Sequence, residues 1–248
     1  MSIKSVLLTL LIVGTITFVI VLILMLIRFK VKVADELFRK LMHFTAILMT
    51  PLCILFSDNY LVSAAVLLIF MILAEIGLRI IAKIFNTVLP KLNSDGSDSH
   101  AGFNDFFVER NDGEIRRSFL IYCFTQACLI VICGLCDDIG LILLEILVWA
   151  IGDALAALIG KRWGKRHIKI GDSHKTYLGS SVMFISSLII SFVMLNVLYN
   201  FSFIRITVES LVIAVFATLV ELLSRKGMDN VTIPVMVTAI GLCFNILM

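Results

Sequence analysis

The sequence predicts an all-α, polytopic integral membrane protein with about eight transmembrane helices and both termini extracytoplasmic. Three observations carry this. Hydrophobic residues fill 60% of the 248 positions and charged residues only 16%, with a mean hydropathy of +1.06, a balance that excludes a soluble globular domain. The apolar residues fall in runs near the roughly 20 residues a helix needs to cross a hydrocarbon core, where lipid offers no partner for a free backbone amide. All but two of the 21 Lys and Arg residues lie in alternate loops, and short basic loops stay cytoplasmic.

In chain order the spans are expected near 5–27, 41–56, 60–82, 117–135, 138–159, 176–199, 206–223 and 231–247. The first has the apolar centre of a signal peptide, but it is too long and lacks a small-residue cleavage site before its basic flank, so it reads as a span or signal anchor. The second is short and borrows from the amphipathic stretch before it. Arg28, Lys30, Lys32, Arg39 and Lys40 follow span one, and Arg79, Lys83, Lys91, Arg110, Arg116 and Arg117 follow span three. Lys161, Arg162, Lys165, Arg166, Lys169 and Lys175 follow span five, and Arg225 and Lys226 follow span seven. Only Lys4 and Arg205 fall on the opposite side.

The chain reads as a single membrane domain, 1–248, with a long cytoplasmic loop at 84–116 and a basic one at 160–176. The net charge of +3 follows from topology, and no nucleic-acid motif is present. Within the long loop, Asn93 to His100 is turn-rich. Phe103, Phe106, Phe107 and Val108 beyond it suit an interfacial element. The six cysteines, Cys53, Cys123, Cys128, Cys133, Cys136 and Cys243, lie in apolar segments, as small buried hydrophobes do.

Four polar clusters sit at the cytoplasmic ends of the spans. Spans two, four, six and eight begin there, so four positive helix-dipole ends and their free amides face one side, an arrangement suited to a polyphosphate. In ELFRKLMHF, Glu36, Arg39, Lys40 and His43 recur at i, i+3, i+4 and i+7 on one helical face, with Leu37, Leu41 and Phe44 on another. Such a face also suits a snorkelling anchor, but an anchor does not need a titratable imidazole beside a carboxylate and two cations. The second cluster is Glu75 with Arg79 at i+4, followed across the loop by Glu114, Arg116 and Arg117.

In the third cluster, Gly152, Ala156, Gly160 and Gly164 recur every fourth residue as a ridge for close approach of another backbone or a ligand. Asp153 lies beside it, and a carboxylate there is costly unless it meets cations, metal or water. Lys175, Thr176, Gly179 and Ser180 then open span six. A Lys and a hydroxyl beside glycine at a helix start suit phosphate contact, but no Gly precedes Lys175 and no strand is expected before it, so this is not a Walker A loop. The fourth cluster has Glu221 ending span seven, with Asp229 and Asn230 before Pro234. Asp153, Glu221 and Asp229 are the hard oxygen ligands available to Mg²⁺.

These four clusters, in this order, resemble the CTP-dependent lipid kinase family that includes dolichol kinase, phytol and farnesol kinases and the yeast-type diacylglycerol kinase. The resemblance runs from Glu36 to Pro234. The family pattern usually has Glu between the Thr and the Gly of the fourth element, where this chain has Leu178. The resemblance implies Mg²⁺-dependent transfer of the γ-phosphoryl of CTP to the hydroxyl of a membrane-embedded lipid alcohol. On that expectation Arg39, Lys40, Arg116, Arg117, Gly160, Lys175, Thr176 and Ser180 contact nucleotide or phosphate, and Asp153, Glu221 and Asp229 bind metal. His43, Glu36 and Asp153 are the catalytic candidates, with the proton acceptor open between His43 and Glu36; Glu75, Glu114 and Asn230 are further candidates. A phosphatidate cytidylyltransferase has a comparable glycine, lysine and threonine run, but its closing histidine, two glycines and Asp-Arg pair are absent. A transporter or flippase would place charges near mid-membrane, and here, apart from the few charges at the outer ends of the spans, only Glu145 and Glu209 stand away from the clustered surface.

Overall fold

A computed structural model describes residues 2–31, 33, 35–92, 114–170, 173–224 and 228–247. Among them the chain forms α1 (Ile3–Lys30), α2 (Asp35–Phe56), α3 (Tyr60–Leu92), α4 (Glu114–Leu135), α5 (Gly140–Trp163), β1 (His167–Ile170), β2 (Ser173–Thr176), α6 (Tyr177–Leu198), α7 (Phe203–Leu223) and α8 (Asp229–Leu247). All eight helices are long and apolar enough to cross a membrane, and the chain is an integral membrane protein.

As expected, the amphipathic run before the second span belongs to the same helix, so α2 is 22 residues long and carries Arg39, Lys40 and His43 in its first turns. Two features depart from the sequence expectation. Helix α3 continues to Leu92, a length of about 50 Å at 1.5 Å per residue, so Arg79, Lys83 and Lys91 are helical. Between α5 and α6 stands an antiparallel hairpin, with His167 opposite Thr176 and Ile168 opposite Lys175. The turn-rich run 93–100 and the aromatic residues of 103–108 lie outside the described residues.

The chain divides into two compact units, Met1–Ala127 and Cys128–Met248, with the boundary inside α4. In the first, Val13, Phe38, Cys53, Val66, Leu67 and Cys123 are buried. Arg28 pairs with Asp35 at 3.0 Å and lies over the Phe38 ring at 4.5 Å, which closes the α1–α2 connection. Thr9 donates to the Phe56 carbonyl at 3.0 Å, and the Tyr122 hydroxyl donates to the Ile47 carbonyl at 2.9 Å. Polar side chains between membrane helices need such partners because lipid supplies none.

In the second unit α5 packs on α6 and α8, and α7 packs on α6 and α8. Trp149, Leu144, Met183, Leu195, Ile213 and Ile233 fill the core. The small-residue ridge of α5 is the surface that receives α6 and β2. A Cβ on Gly152 would stand 2.8 Å from Met183 Sδ, one on Gly160 would stand 2.7 Å from Thr176 Oγ1, and one on Gly164 would stand 2.7 Å from Thr176 Cγ2. Close helix contact in lipid relies on such residues because no hydrophobic drive separates protein from lipid there.

At the end of this unit away from the hairpin, Asp138 Oδ1 accepts from the Tyr199 hydroxyl and Asp138 Oδ2 accepts from Asn245 Nδ2 at 2.5 Å. Asn245 Oδ1 accepts in turn from Arg205 at 2.5 Å, and Arg205 pairs with Glu209 at 3.6 Å. Burial and the bond to Asp138 hold the Tyr199 phenol above its ordinary range. The sequence left Arg205 isolated on this side; its i+4 spacing to Glu209 was the available signal. All six cysteines are free, and Cys128, Cys136 and Cys243 are exposed rather than buried. Cys128 and Cys243 stand on membrane helices, where an outward side chain meets lipid, and Cys136 stands in the turn after α4.

Candidate functional site

In the second unit the site forms where the hairpin meets the start of α6. Thr176 ends β2 in an extended conformation and caps α6, accepting from the Gly179 amide at 3.0 Å. Such a cap contributes about 1 kcal/mol and fixes the direction of the first turn. Tyr177 N–H donates back to the Arg166 carbonyl at 3.2 Å, so the hairpin and the helix start are tied together. Gly160 and Gly179 allow this: a Cβ on Gly179 would stand 3.1 Å from the Ala156 carbonyl, and one on Gly160 would stand 3.1 Å from Gly179 Cα.

Lys175, beside the cap, pairs with Glu221 at the end of α7. The Glu221 side chain is 5% exposed and that of Lys175 is 25% exposed. Glu221 Oε2 and Ser180 Oγ are sealed from solvent without a hydrogen-bond partner among the described residues. A buried carboxylate with one oxygen on an ammonium and the other open is an incomplete arrangement, since an unmet buried acceptor costs roughly 1–3 kcal/mol. Ser224 Oγ and Thr232 Oγ1, 2.7 Å apart, tie the end of α7 to the start of α8. There Asp229 Oδ1 accepts from the Asn230 amide at 3.2 Å and Asn230 is buried. Helix α8 begins at Asp229 and continues through Pro234, where the sequence placed the start two residues later.

Asp153 is half-buried on α5, seven residues before Gly160 and so about 10 Å back along the helix. Among the described residues no three His, Cys, Asp or Glu side chains form a group that could hold a metal. Asp153, Glu221 and Asp229 therefore do not make a three-carboxylate cage. Mg²⁺ in phosphoryl-transfer sites is held instead by one or two carboxylates together with phosphate oxygens and water. The open oxygen of Glu221 fits that donor set.

In the first unit the structure joins Glu75 to its expected partner Arg79 and to a second cation of the cluster, Arg116. Arg79 pairs with it one turn on, and Arg116 reaches it across 41 positions at 3.1 Å. Arg117 is exposed. On α2, Arg39, Lys40 and His43 are half-buried while Leu37, Leu41, Phe44 and Leu48 are exposed. The apolar stripe is thus the outward one, and the basic face is turned toward the protein. A simple snorkelling anchor would send its cations outward instead. The side chains of Glu36 and Glu114 lie outside the described residues.

Three features here escaped the sequence reading. The strand before α6 was legible in the alternation of HIKI and in the Gly171–Asp172 pair between the strands, a hairpin signal. It is not a phosphate-loop strand, because Lys175 and Thr176 belong to it. The Lys175–Glu221 pair joins residues 46 positions apart, beyond any local periodicity. The ridge around Gly160 packs against α6 and β2, so Gly160 acts in this geometry by positioning Thr176.

The chain is 37% identical over 89 residues to a phytol kinase of Synechocystis sp., a match that covers 36% of this chain. It spans 38% of the length of that relative. No family model matches the chain, and no solved structure matches it.

Proposed function

We propose that the chain is a Mg²⁺-dependent lipid-alcohol kinase that takes its phosphoryl group from CTP, with the hairpin end of the second unit as its nucleotide site on the cytoplasmic side. The observation that carries this reading is the Lys175–Glu221 pair, with its open Glu221 oxygen, beside the capped start of α6. The partial match to a phytol kinase points the same way, as does the resemblance to CTP-dependent lipid kinases.

In the reaction the hydroxyl oxygen of the alcohol forms a bond to the γ-phosphorus, the bond to the bridging β,γ-oxygen breaks, and CDP leaves. Lys175 binds the phosphates beside the start of α6, whose dipole favours an anion although the Tyr177 and Gly179 amides are taken by Arg166 and Thr176. Thr176 fixes the direction of that first turn, and the Ser180 hydroxyl is available to donate to a phosphate oxygen. Glu221 would hold the metal, with Asp153 or Asp229 as a further carboxylate. Mg²⁺, when bound, neutralises charge on the transferring group. Arg39, Lys40, Arg116 and Arg117 remain phosphate-contact candidates, and His43 and Glu36 remain candidates for accepting the hydroxyl proton.

The test incubates the purified chain with Mg²⁺, γ-labelled CTP or ATP, and a panel of diacylglycerol, phytol, farnesol and long polyprenols. Label is expected to pass from CTP to at least one alcohol, and Glu221→Gln and Lys175→Met are expected to abolish transfer while remaining folded. Absence of transfer to every alcohol from either donor would overturn the kinase reading. Lipid labelling from α-labelled CTP only would identify nucleotidyl transfer instead.

A further inference from the structure

Glu145 is an acid that the nucleotide site does not use. It is fully buried within the α5 span, about 22 Å along the helix from Gly160 at 1.5 Å per residue. An ionisable group at that depth is costly unless something other than lipid solvates it. The glycine contacts of α5 locate its surroundings. Gly160 packs on Thr176 and Gly179, Gly152 on Met183 and Ser187, and Gly140 on Tyr199, so α5 and α6 pass in antiparallel register. Glu145 shares the face of Gly152, seven residues away. It comes level with the part of α6 between Ser187 and Tyr199, where the buried residues are Ser191 and Leu195. Gly241 of α8 packs on Leu141, and one turn from that contact toward the hairpin stand Glu145 on α5 and Thr238 on α8.

Hydroxyls mark the same interior. Three others in this unit turn back on their own helix: Ser186 donates to the Val182 carbonyl at 2.7 Å, Ser210 to that of Ile206 at 2.6 Å and Thr218 to that of Ala214 at 2.7 Å. Ser187, Ser191 and Thr238 do not. Each is at most 2% exposed, and its hydroxyl oxygen is sealed with no hydrogen-bond partner among the described residues. A Cβ on Gly152 would stand 3.4 Å from Ser187 Oγ, so that hydroxyl faces α5 rather than lipid, and Ser191 follows one turn on along the same face.

We infer that Glu145, Ser187, Ser191 and Thr238 line an internal water site in the second unit. A hydroxyl that has given up its helix carbonyl needs an acceptor for its proton, and a cation supplies none. Water accepts from a hydroxyl and donates to a carboxylate. The spacing also suits it, since side chains four residues apart on a helix stand about 6 Å apart and one water reaching two hydroxyls at about 2.8 Å each spans that gap. Without water each hydroxyl carries the penalty of an unmet buried group, and buried waters form about three hydrogen bonds to such groups. The role of the site is to solvate Glu145 where lipid cannot. The inference is independent of the kinase reading.

Met183 serves as the reporter, because it meets the same glycine as Ser187 and is fully buried. The purified full chain in phosphatidylcholine nanodiscs is given a brief X-ray pulse in isotopically labelled water, which turns bound water into hydroxyl radical in place. Oxidised methionines are then read by mass spectrometry. Met183 is expected to take up label several-fold faster than Met71, at the centre of the third span. Ser187→Ala and Ser191→Ala are expected to lower that uptake, and Ser210→Ala to leave it unchanged. The second readout is the thermal unfolding midpoint, expected to fall in Ser191→Ala and Thr238→Val and to be retained in Ser191→Thr and Thr238→Ser.

Uptake at Met183 no faster than at Met71 overturns the inference, and the unaltered chain decides this even where a variant does not fold. Dry hydroxyls give the opposite sign in the second readout, since removing an unmet buried hydroxyl raises the midpoint, and that result overturns it too. A midpoint that rises saturably with NaCl against choline chloride at equal ionic strength, without uptake at Met183, shows a cation in the place of water and has the same consequence.

Discussion

Replacing Gly160 with alanine isolates the close contact on which the site is built. The added Cβ would stand 2.7 Å from Thr176 Oγ1, 3.1 Å from Gly179 Cα and 3.4 Å from Gly179 N. Two of the three neighbours are backbone atoms at a helix start, which cannot rotate aside as a side chain can. Crowding of this kind costs about 1–3 kcal/mol, and displacing Thr176 from its cap costs about 1 kcal/mol more. Alanine's better helix propensity offsets about 1 kcal/mol, which leaves a net loss of roughly 1–3 kcal/mol by the same principles. Gly77→Ala provides the reference, because its Cβ would meet nothing within 4 Å and should gain up to about 1 kcal/mol. Equilibrium unfolding in mixed micelles with increasing denaturing detergent measures both. In a Thr176→Ala background the 2.7 Å contact is gone, so Gly160→Ala should cost less, a non-additivity of about 0.5–3 kcal/mol. If Gly160→Ala proves as stable as Gly77→Ala, the hairpin and α6 do not approach α5 as described.

Asp153→Asn nearly preserves size while removing the charge, and should insert stably but lose transfer at limiting Mg²⁺; retention of near-normal activity would make Asp153 only a structural polar residue. Ala156→Leu, in contrast, should lower stability by crowding the α5–α6 contact. Cysteines placed at Lys91, Lys169 and Lys226, in a chain cleared of its own cysteines, should resist a membrane-impermeant reagent in intact cells and react after permeabilisation; labelling of intact cells at Lys169 and Lys226 would reverse the orientation. Tyr199→Phe should cost roughly 1–3 kcal/mol by removing a donor from Asp138. Because the folded phenol titrates above its ordinary value, its contribution is complete below that value of about 10 and is lost as pH rises beyond it. Alkaline unfolding should therefore be less steep in Tyr199→Phe than in the unaltered chain.

Most of the secondary structure was legible because membrane helices announce themselves by continuous apolarity bounded by charge. The third span's start at Tyr60, the fourth's end at Leu135 and the last two ends at Leu223 and Leu247 fall where expected. The first turns of α2 are amphipathic, which lowers hydropathy without breaking the helix, and the i, i+3, i+4, i+7 spacing of Glu36, Arg39, Lys40 and His43 is what made them legible as helix. The hairpin was missed because the positive-inside rule already accounted for the basic residues at 161–175, leaving the alternation of Ile168 and Ile170 unweighed. The ridge on α5 could be seen from spacing alone, but that β2 and α6 would receive it could not. The pairing of Glu75 with Arg79 was local and legible, whereas Lys175 with Glu221 depends on which helix α6 lies against, a property of the bundle. That Asp153, Glu221 and Asp229 do not gather as one three-carboxylate group among the described residues could not be read from a one-dimensional list of acids, which records no depth along a helix.

The continuity of α2 makes bilayer thickness a variable that its polar face senses. Without its basic turns, from Leu41 to Phe56, the helix is about 24 Å long at 1.5 Å per residue, and it reaches the roughly 30 Å of hydrocarbon in an average bilayer only by including them from Leu37. The shortfall is met by local thinning of the bilayer or by drawing the first turns inward, each at a fraction of a kcal/mol per Å. Arg39, Lys40 and His43 share one continuous helix with the apolar part, which carries its proline, Pro51, two turns beyond His43, so an adjustment of the first turns moves all three together. A thicker membrane draws these groups deeper, and a thinner one lifts them toward water. Lipid composition thereby sets the depth and hydration of this basic face without altering a single residue.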